Sequence, residues 1–156
     1  MFFYPRKVKY PTKTQIDLWS LKRNRLSGRE IAAKRDITPG MVSKTLSEAN
    51  KRVKALLQNA ARMNKVTLKV ISPELGYARG ISHIFGVNAY ITFSPDNGVH
   101  VWYDHKGDCV QCEKYTFCRD IILQEFKERN IPVENPSLRP TNLVEILLTE
   151  LEAMVK

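Results

Sequence analysis

The chain reads SGREIAAKRDITPGMVSK from residue 27 to residue 44, and this stretch contains the start signals of two helices. Ser27 and the glutamate three residues later have the spacing of a capping box, in which each side chain accepts a backbone N–H of the other residue. Thr38 followed by Pro39 combines a favoured N-cap residue with proline at the first helical position, where its missing N–H costs nothing. The stretch therefore predicts a short helix through Arg35, a tight turn and a further helix that begins at Pro39.

The helix that begins at Pro39 is predicted to continue to about Asn64, because its apolar residues recur at alternating spacings of four and three. This spacing is a heptad repeat, and its positions are called the heptad seam. A helix of that length exceeds what a small helical unit can cover. Its second half therefore needs another partner, either a second protomer or the C-terminal part of the chain. A second capping box at Thr12 and Gln15 predicts a preceding helix to about Asn24. The apolar positions are Val42, Leu46, Ala49, Val53, Leu56, Ala60 and Met63.

Charge divides the chain into two unequal parts. Residues 1–65 hold 16 Lys and Arg against 4 Asp and Glu, a net +12, whereas residues 66–156 hold 9 against 12, a net −3. A cationic half joined to a mildly acidic half is typical of a nucleic-acid-binding module with an attached domain that does not bind nucleic acid. We therefore divide the chain into a DNA-binding domain with a long linking or dimerisation helix, residues 1–65, and a sensor or assembly domain, residues 66–156.

The second part changes to strand-like sequence. Residues 66–71, 88–93 and 99–104 are rich in β-branched and aromatic residues, and the last two runs are separated by a five-residue loop typical of a hairpin. Residues 75–86 give no clear pattern and are compatible with a short helix. Helices are predicted over residues 118–130 and 141–154. The expected fold is thus an all-α N-terminal unit with a long third helix, joined to a small α+β domain that contains a hairpin and a cysteine cluster.

The run from Ser27 to Lys44 resembles the helix-turn-helix (HTH) of LuxR-type regulators, and it is equally similar to the promoter-reading region of bacterial sigma factors and to archaeal Tfx-type regulators. Arg35 stands where that pattern usually has an apolar residue, and Asp36 where it often has glycine. Asp tolerates a left-handed conformation better than most residues, so the turn remains feasible. The resemblance covers about a third of the chain and does not extend to residues 66–156. Its apolar core positions are Ile31, Ile37, Val42 and Leu46, with Ala32 as the small residue where the helices cross.

In the HTH mode of binding, the first turns of the recognition helix enter the major groove of double-stranded DNA. If Val42 and Ala49 face the core, the opposite face presents glycine and polar residues that can approach base edges or phosphates. Arg6, Lys7, Lys9 and Lys13 are better suited to phosphate contacts. The predicted DNA-binding residues are Arg29, Thr38, Gly40, Met41, Ser43, Lys44, Ser47 and Lys51.

The cysteines form a second candidate site. Cys109 and Cys112 have the spacing of a chelating knuckle, and Cys118 is close enough in sequence to add a third thiolate. His105 is the fourth expected ligand of a structural zinc site. An iron–sulfur cluster, reversible redox thiols and plain packing cysteines remain alternatives. Residues that could replace His105 as a ligand are His100, Asp104 and Asp108.

Several classes of function find no support in the sequence. No phosphate-binding loop, dinucleotide-binding glycine pattern or nucleophile elbow occurs, and we expect no enzymatic activity. No apolar run approaches the ~20 residues of a membrane span, and the N-terminus lacks a secretory signal, so we expect a cytoplasmic protein without a membrane partner. The most direct expectation is a sequence-specific transcription regulator that binds DNA as a homodimer, with an unknown small-molecule effector. The alternative is a nucleic-acid module, for RNA or DNA, without sequence readout.

Overall fold

The computed structural model describes residues 8–155 and shows a mixed α+β layout, with helices first and a sheet followed by helices afterwards. A short 3-10 helix, Cys109–Gln111, precedes α4. This order confirms the coarse fold predicted from the sequence. The elements are α1 Lys13–Arg23, α2 Gly28–Arg35, α3 Pro39–Met63, β1 Val66–Ser72, β2 Tyr77–Ser82, β3 Asn88–Ser94, β4 Gly98–Tyr103, α4 Tyr115–Glu128 and α5 Pro140–Met154.

The first three helices begin where the capping signals predict. The Thr12 and Ser27 side chains accept hydrogen bonds from the backbone N–H groups of Gln15 and Glu30. The side chains of Gln15 and Glu30 in turn accept from the backbone N–H groups of Thr12 and Ser27, which completes both capping boxes. Thr38 accepts the N–H of Met41 at the start of α3. Local hydrogen bonds therefore fix the starting residue of each helix.

The four strands form one antiparallel sheet in the order β1-β2-β3-β4. The presence of β2 corrects the sequence analysis, in which residues 75–86 were compatible with a short helix. Both faces of β2 are covered, so its sequence lacks the apolar–polar alternation of a half-exposed strand. Gly80 in β2 lies against β1 so closely that an added Cβ would be 2.1 Å from the Thr67 carbonyl oxygen. The glycine that weakened the strand pattern is thus required by the close packing of two strands.

One face of the sheet is covered by α3 and by Trp19 of α1. The buried stripe of α3 runs through Ala49, Val53, Leu57 and Ala61. This stripe differs from the heptad prediction, because Leu56 and Ala60 are only half-buried and Met63 is 71% exposed. A straight helix with 3.6 residues per turn drifts away from a strict 3.5 repeat, which shifts the inner positions by one residue in the second half.

The opposite face of the sheet is covered by α4 and α5, which pack against Tyr77 of β2. The buried apolar side chains of this layer are Ile122, Phe126, Leu143, Leu147, Leu148 and Leu151. A third, smaller core joins the N-terminal helices through Leu18, Ile31, Ala32 and Val42. Because α3 contributes to this small core and to the sheet core, residues 1–65 and 66–156 share one packed surface.

Polar contacts also join the two parts. The Trp19 indole donates to the Pro73 carbonyl oxygen at 3.0 Å, and Arg23 of α1 donates to the Glu128 carbonyl oxygen at 3.2 Å. Within the second part, buried Arg129 donates to the Glu125 carboxylate at 2.8 Å and to the Leu75 carbonyl oxygen at 2.6 Å, which ties α4 to the start of β2. Within the described part of the chain, no helix combines the length and apolar composition needed to cross a bilayer.

Candidate nucleic-acid interface and cysteine cleft

The α2–α3 connection is a three-residue turn that begins with a left-handed residue. Asp36 has φ 52° and ψ 49°, and its N–H donates to the Ala32 carbonyl oxygen to close α2. Ala32 is 4% exposed at this point. The small side chain lets the helices approach, and Asp takes the place at which the resemblance has glycine. The turn expected from the sequence is therefore formed.

Arg35 is the other departure from the resemblance, and its contacts explain why it is tolerated. Its side chain lies at the surface and makes two hydrogen bonds of 2.6 Å to the Asp17 carboxylate of α1. The hydrogen bonds from Arg35 hold the pKa of Asp17 below its usual value. Because the pair is exposed, its contribution to stability is small, roughly 0.2–1 kcal/mol. Arg35 thus joins α2 to α1 through a surface ion pair, whereas an apolar residue at this position would join them through packing in the core.

The first half of α3 presents two sharply different faces. Val42 is 1% exposed and Ala49 is fully buried, whereas Met41 is 55% exposed. All eight residues predicted to contact DNA are exposed in the structure. These residues are Arg29, Thr38, Gly40, Met41, Ser43, Lys44, Ser47 and Lys51.

Two of these residues have informative surroundings. A Cβ added at Gly40 would meet, within the described chain, only the Thr38 hydroxyl at 3.9 Å. Packing of the protein on itself therefore does not require glycine here. The Lys51 ammonium lies 3.2 Å from the Glu48 carboxylate, and this exposed pair leaves the lysine free to exchange partners.

The other cations predicted to bind DNA precede α2 in the chain. Lys9 and Lys13, predicted to contact phosphates, are exposed. Arg6 and Lys7, which were assigned the same role, lie outside the described residues. Lysine and arginine side chains carry a positive charge at neutral pH. Residues 28–51, which span α2 and the first half of α3, hold five Lys and Arg against three Asp and Glu, a net charge of +2.

The three cysteines lie at one edge of the second core. Cys109 is buried and its thiol is 3.5 Å from the Thr141 hydroxyl, whereas Cys112 is exposed and Cys118 half-buried. The Cys112 N–H donates to the Cys109 carbonyl oxygen at 3.2 Å, which closes the 3-10 turn. Burial, together with the neighbouring Cys112 and Cys109, raises the pKa of Cys118. All three are free thiols.

The thiols and His105 line a common cleft of about 1000 Å³ between the sheet, α4 and α5. Within residues 8–155, however, no three His, Cys, Asp or Glu side chains are grouped closely enough to hold an ion as they stand. A metal would require the exposed segment 104–114 to rearrange around it. Zinc at these four residues, or an iron–sulfur cluster, therefore stays a prediction.

The alternative ligands have other contacts. His100 is 3.0 Å from the Asn97 carbonyl oxygen through Nε2 and packs beside Trp102. Asp108 accepts the N–H of Val110 at 3.0 Å and so caps the 3-10 helix. The backbone N–H of Asp104 donates to the Asn88 carbonyl oxygen at 3.0 Å.

Two of the sheet residues that form the floor of the cleft, Arg79 and Tyr90, were not predicted from the sequence. Arg79, Tyr90 and Trp102 lie on three different strands and all line it. Their common face follows from strand register, and the register of β2 could not be assigned while β2 itself was unrecognised. The local signals of strands that present different side chains to the two faces of the sheet were the alternation of Tyr90 with Ala89 and Ile91 and that of Trp102 with Val101 and Tyr103.

Comparison of the chain with family models, with curated proteins and with solved structures finds no match.

Proposed function

We propose that the protein is a sequence-specific DNA-binding transcription regulator, in which the start of α3 enters the major groove. The observation that carries the proposal is the exposed face of α3, where Gly40, Lys44 and Ser47 lie opposite the buried Val42 and Ala49. This arrangement gives a capped helix N-terminus, a position that permits close approach, and hydrogen-bonding groups one turn apart. The concentration of cations in residues 1–65 supports it.

The competing proposal is a nucleic-acid module, for RNA or DNA, that binds the backbone without reading sequence. The same cations would serve that function. The two proposals differ in what Lys44 and Ser47 do. Loss of a phosphate contact weakens binding to all sequences about equally, whereas loss of a base contact weakens binding mainly to the preferred sequence.

The remaining parts of the proposal concern assembly and the C-terminal half. A homodimer on paired half-sites is the usual arrangement for this mode of binding. The heptad seam of α3 is not an argument for a homodimer, since the second half of α3 packs on the sheet of its own chain. Residues 66–156 would regulate binding or assembly, with zinc as the proposed structural metal. A cytoplasmic location belongs to the same proposal.

The experiment begins with duplexes selected from a random pool by the wild-type protein. Binding of a selected duplex and of its scrambled sequence is measured at several salt concentrations for the wild type, Lys44→Ala and Ser47→Ala. Lys44→Ala should weaken binding to the selected duplex by roughly 1–3 kcal/mol, and binding to the scrambled duplex much less. Two protomers per selected duplex would support the dimer.

Two further variants make the experiment specific. Lys127→Ala removes the same charge from an exposed position on α4 and should leave the selected affinity unchanged. Gly40→Leu has space within the protein and should fold normally, yet weaken DNA binding by obstructing close approach. Equal affinity of the wild type for selected and scrambled duplexes would favour the non-specific module. Unchanged affinity in folded Lys44→Ala, Ser47→Ala and Gly40→Leu would refute the assigned surface.

A further inference from the structure

The floor of the cleft is a row of three side chains on neighbouring strands. Arg79 of β2 is the register partner of Tyr90 of β3, and Tyr90 is the partner of Trp102 of β4. All three are half-buried and line the cleft. Strands lie about 4.8 Å apart, so the row extends over roughly 10 Å from a guanidinium to an indole.

Hydrogen bonds hold the two outer members of the row, Trp102 and Arg79, in place. The Trp102 Nε1 donates to the Thr92 hydroxyl at 2.9 Å, and the Arg79 Nε donates to the Glu152 carboxylate at 2.7 Å. The terminal amino groups of Arg79 remain as donors. Burial, followed by the charge of Asp104, raises the pKa of Tyr90, which keeps its hydroxyl protonated and able to donate. One end of the row thus offers hydrogen-bond donors and the other an aromatic ring.

A second aromatic ring stands across the mouth of the cleft. Phe117 in the first turn of α4 is 61% exposed, and its ring centroid is 6.5 Å from that of His100. His100 in turn lies 5.9 Å from Trp102. Aromatic rings attract other rings in offset or edge-to-face arrangements over these distances. The mouth is therefore lined with ring surface that the protein does not fill.

We propose that this cleft binds a small, planar aromatic molecule carrying an anionic acceptor group such as a carboxylate or sulfonate. The ring would pack between Trp102 and Phe117, and the acceptor would receive hydrogen bonds from Arg79 and Tyr90. Glu152 holds the Nε side of Arg79, so the anionic group must approach from the terminal nitrogens. A volume of about 1000 Å³ lies at the upper end of the range common for small-molecule sites, about 300–1,000 Å³.

The binding itself does not depend on DNA recognition. Only the further role of this ligand as an effector rests on the proposed function, so the two proposals can fail separately. The full chain is used for the test, with chelator present so that thiol-bound metal does not contribute.

The probes are anilinonaphthalene sulfonate and the uncharged N-phenyl-1-naphthylamine, which has the same rings without the sulfonate. Fluorescence titration should show one saturable site for the sulfonate, and saturation should raise the melting temperature, as expected for a ligand of the native state. Phe117→Ala should weaken binding of both probes about three- to tenfold. Tyr90→Phe, which removes only the hydroxyl, and Arg79→Gln should weaken binding of the sulfonate more than of the uncharged probe.

The matched control is Phe85→Ala, because Phe85 is 60% exposed and lies outside the cleft. It should leave both titrations unchanged. The proposal is overturned if Phe85→Ala and Phe117→Ala have equal effects, if both probes respond equally to Tyr90→Phe and Arg79→Gln, or if the sulfonate lowers the melting temperature. The last result would indicate binding to a partly unfolded state.

Discussion

The two halves of α3 have similarly regular apolar spacing, yet they lie in different surroundings. The first half contributes Val42 to a core of four buried residues and leaves a polar face in solvent. The second half packs Val53, Leu57 and Ala61 against the sheet. A regular stripe therefore indicates that a helix is buried on one side, but it does not indicate whether the partner is another protomer or the same chain.

The largest expected effect is a loss of stability that distinguishes the buried positions in the second half of α3 from the heptad positions. Leu57 is fully buried, so Leu57→Ala should lower the free energy of unfolding by about 2–5 kcal/mol through lost contacts and a residual cavity. Met63→Ala should change it by less than about 0.5 kcal/mol, because Met63 is 71% exposed. Urea denaturation followed by circular dichroism measures both. Comparable losses in the two variants would mean that the heptad positions, and a second protomer, do bury this end of α3.

The next effect concerns the sheet on which the second half of α3 depends. If zinc joins His105 and the three cysteines, the metal at a hundredfold excess over its Kd should stabilise the fold by about 2.7 kcal/mol. Chelator and Cys112→Ser should both remove that increment, and the increment should fade in acid as thiols become protonated. Elemental analysis and an absorption spectrum of anaerobically purified protein identify the metal, since an iron–sulfur cluster would be coloured. Less than about a tenth of an equivalent of metal, with no response to chelator, would exclude the site.

The smallest effect concerns the exposed link between α1 and α2 beside the first half of α3. The pKa of Asp17 is lowered in the folded state by its hydrogen bonds from Arg35, so its stabilisation is present above the unfolded value of about 3.9. That contribution is lost as pH falls through the lower folded value. Because the pair is exposed, the loss should be roughly 0.2–1 kcal/mol. Asp17→Asn should flatten this part of the stability profile between pH 5 and pH 2, as test conditions spanning the transition; a profile identical to that of the wild type would show that the pair contributes nothing.

Local signals allowed the helix starts to be predicted from the sequence, because Thr12, Ser27 and Thr38 each form bonds within three residues of themselves. The left-handed turn at Asp36 was expected from the resemblance, since Asp tolerates that conformation better than most residues. Helical spacing placed Gly40, Lys44, Ser47 and Lys51 on one face of α3, and all four are exposed. These features require only knowledge of neighbours in the chain.

Features that depend on distant neighbours were not predictable. Strand β2 was missed because both of its faces are covered, and Gly80 is explained only by the backbone of β1. Leu57 replaces Leu56 at the inner surface because α3 runs straight against the sheet instead of supercoiling around a second helix, and the sequence did not reveal which partner it has. The row of Arg79, Tyr90 and Trp102 depends on the register of three strands. Such long-range contacts join residues whose proximity no local pattern records.

The continuity of α3 also has a mechanical consequence. Its 25 residues form one uninterrupted helix, which is roughly 37 Å long at 1.5 Å per residue. The C-terminal end of α3 packs on the sheet and the N-terminal end carries the candidate DNA-binding face. A change in orientation at the sheet is therefore transmitted along the helix as a displacement of the other end. A tilt of about 5° at the C-terminal end would displace the far end by about 3 Å for a rod of this length. At Lys44, about 28 Å from the C-terminal end, the same tilt would give a displacement of about 2.5 Å. This is close to a hydrogen-bond length, so under the proposed function a slight repacking of the sheet would be enough to move Lys44 into or out of reach of a base.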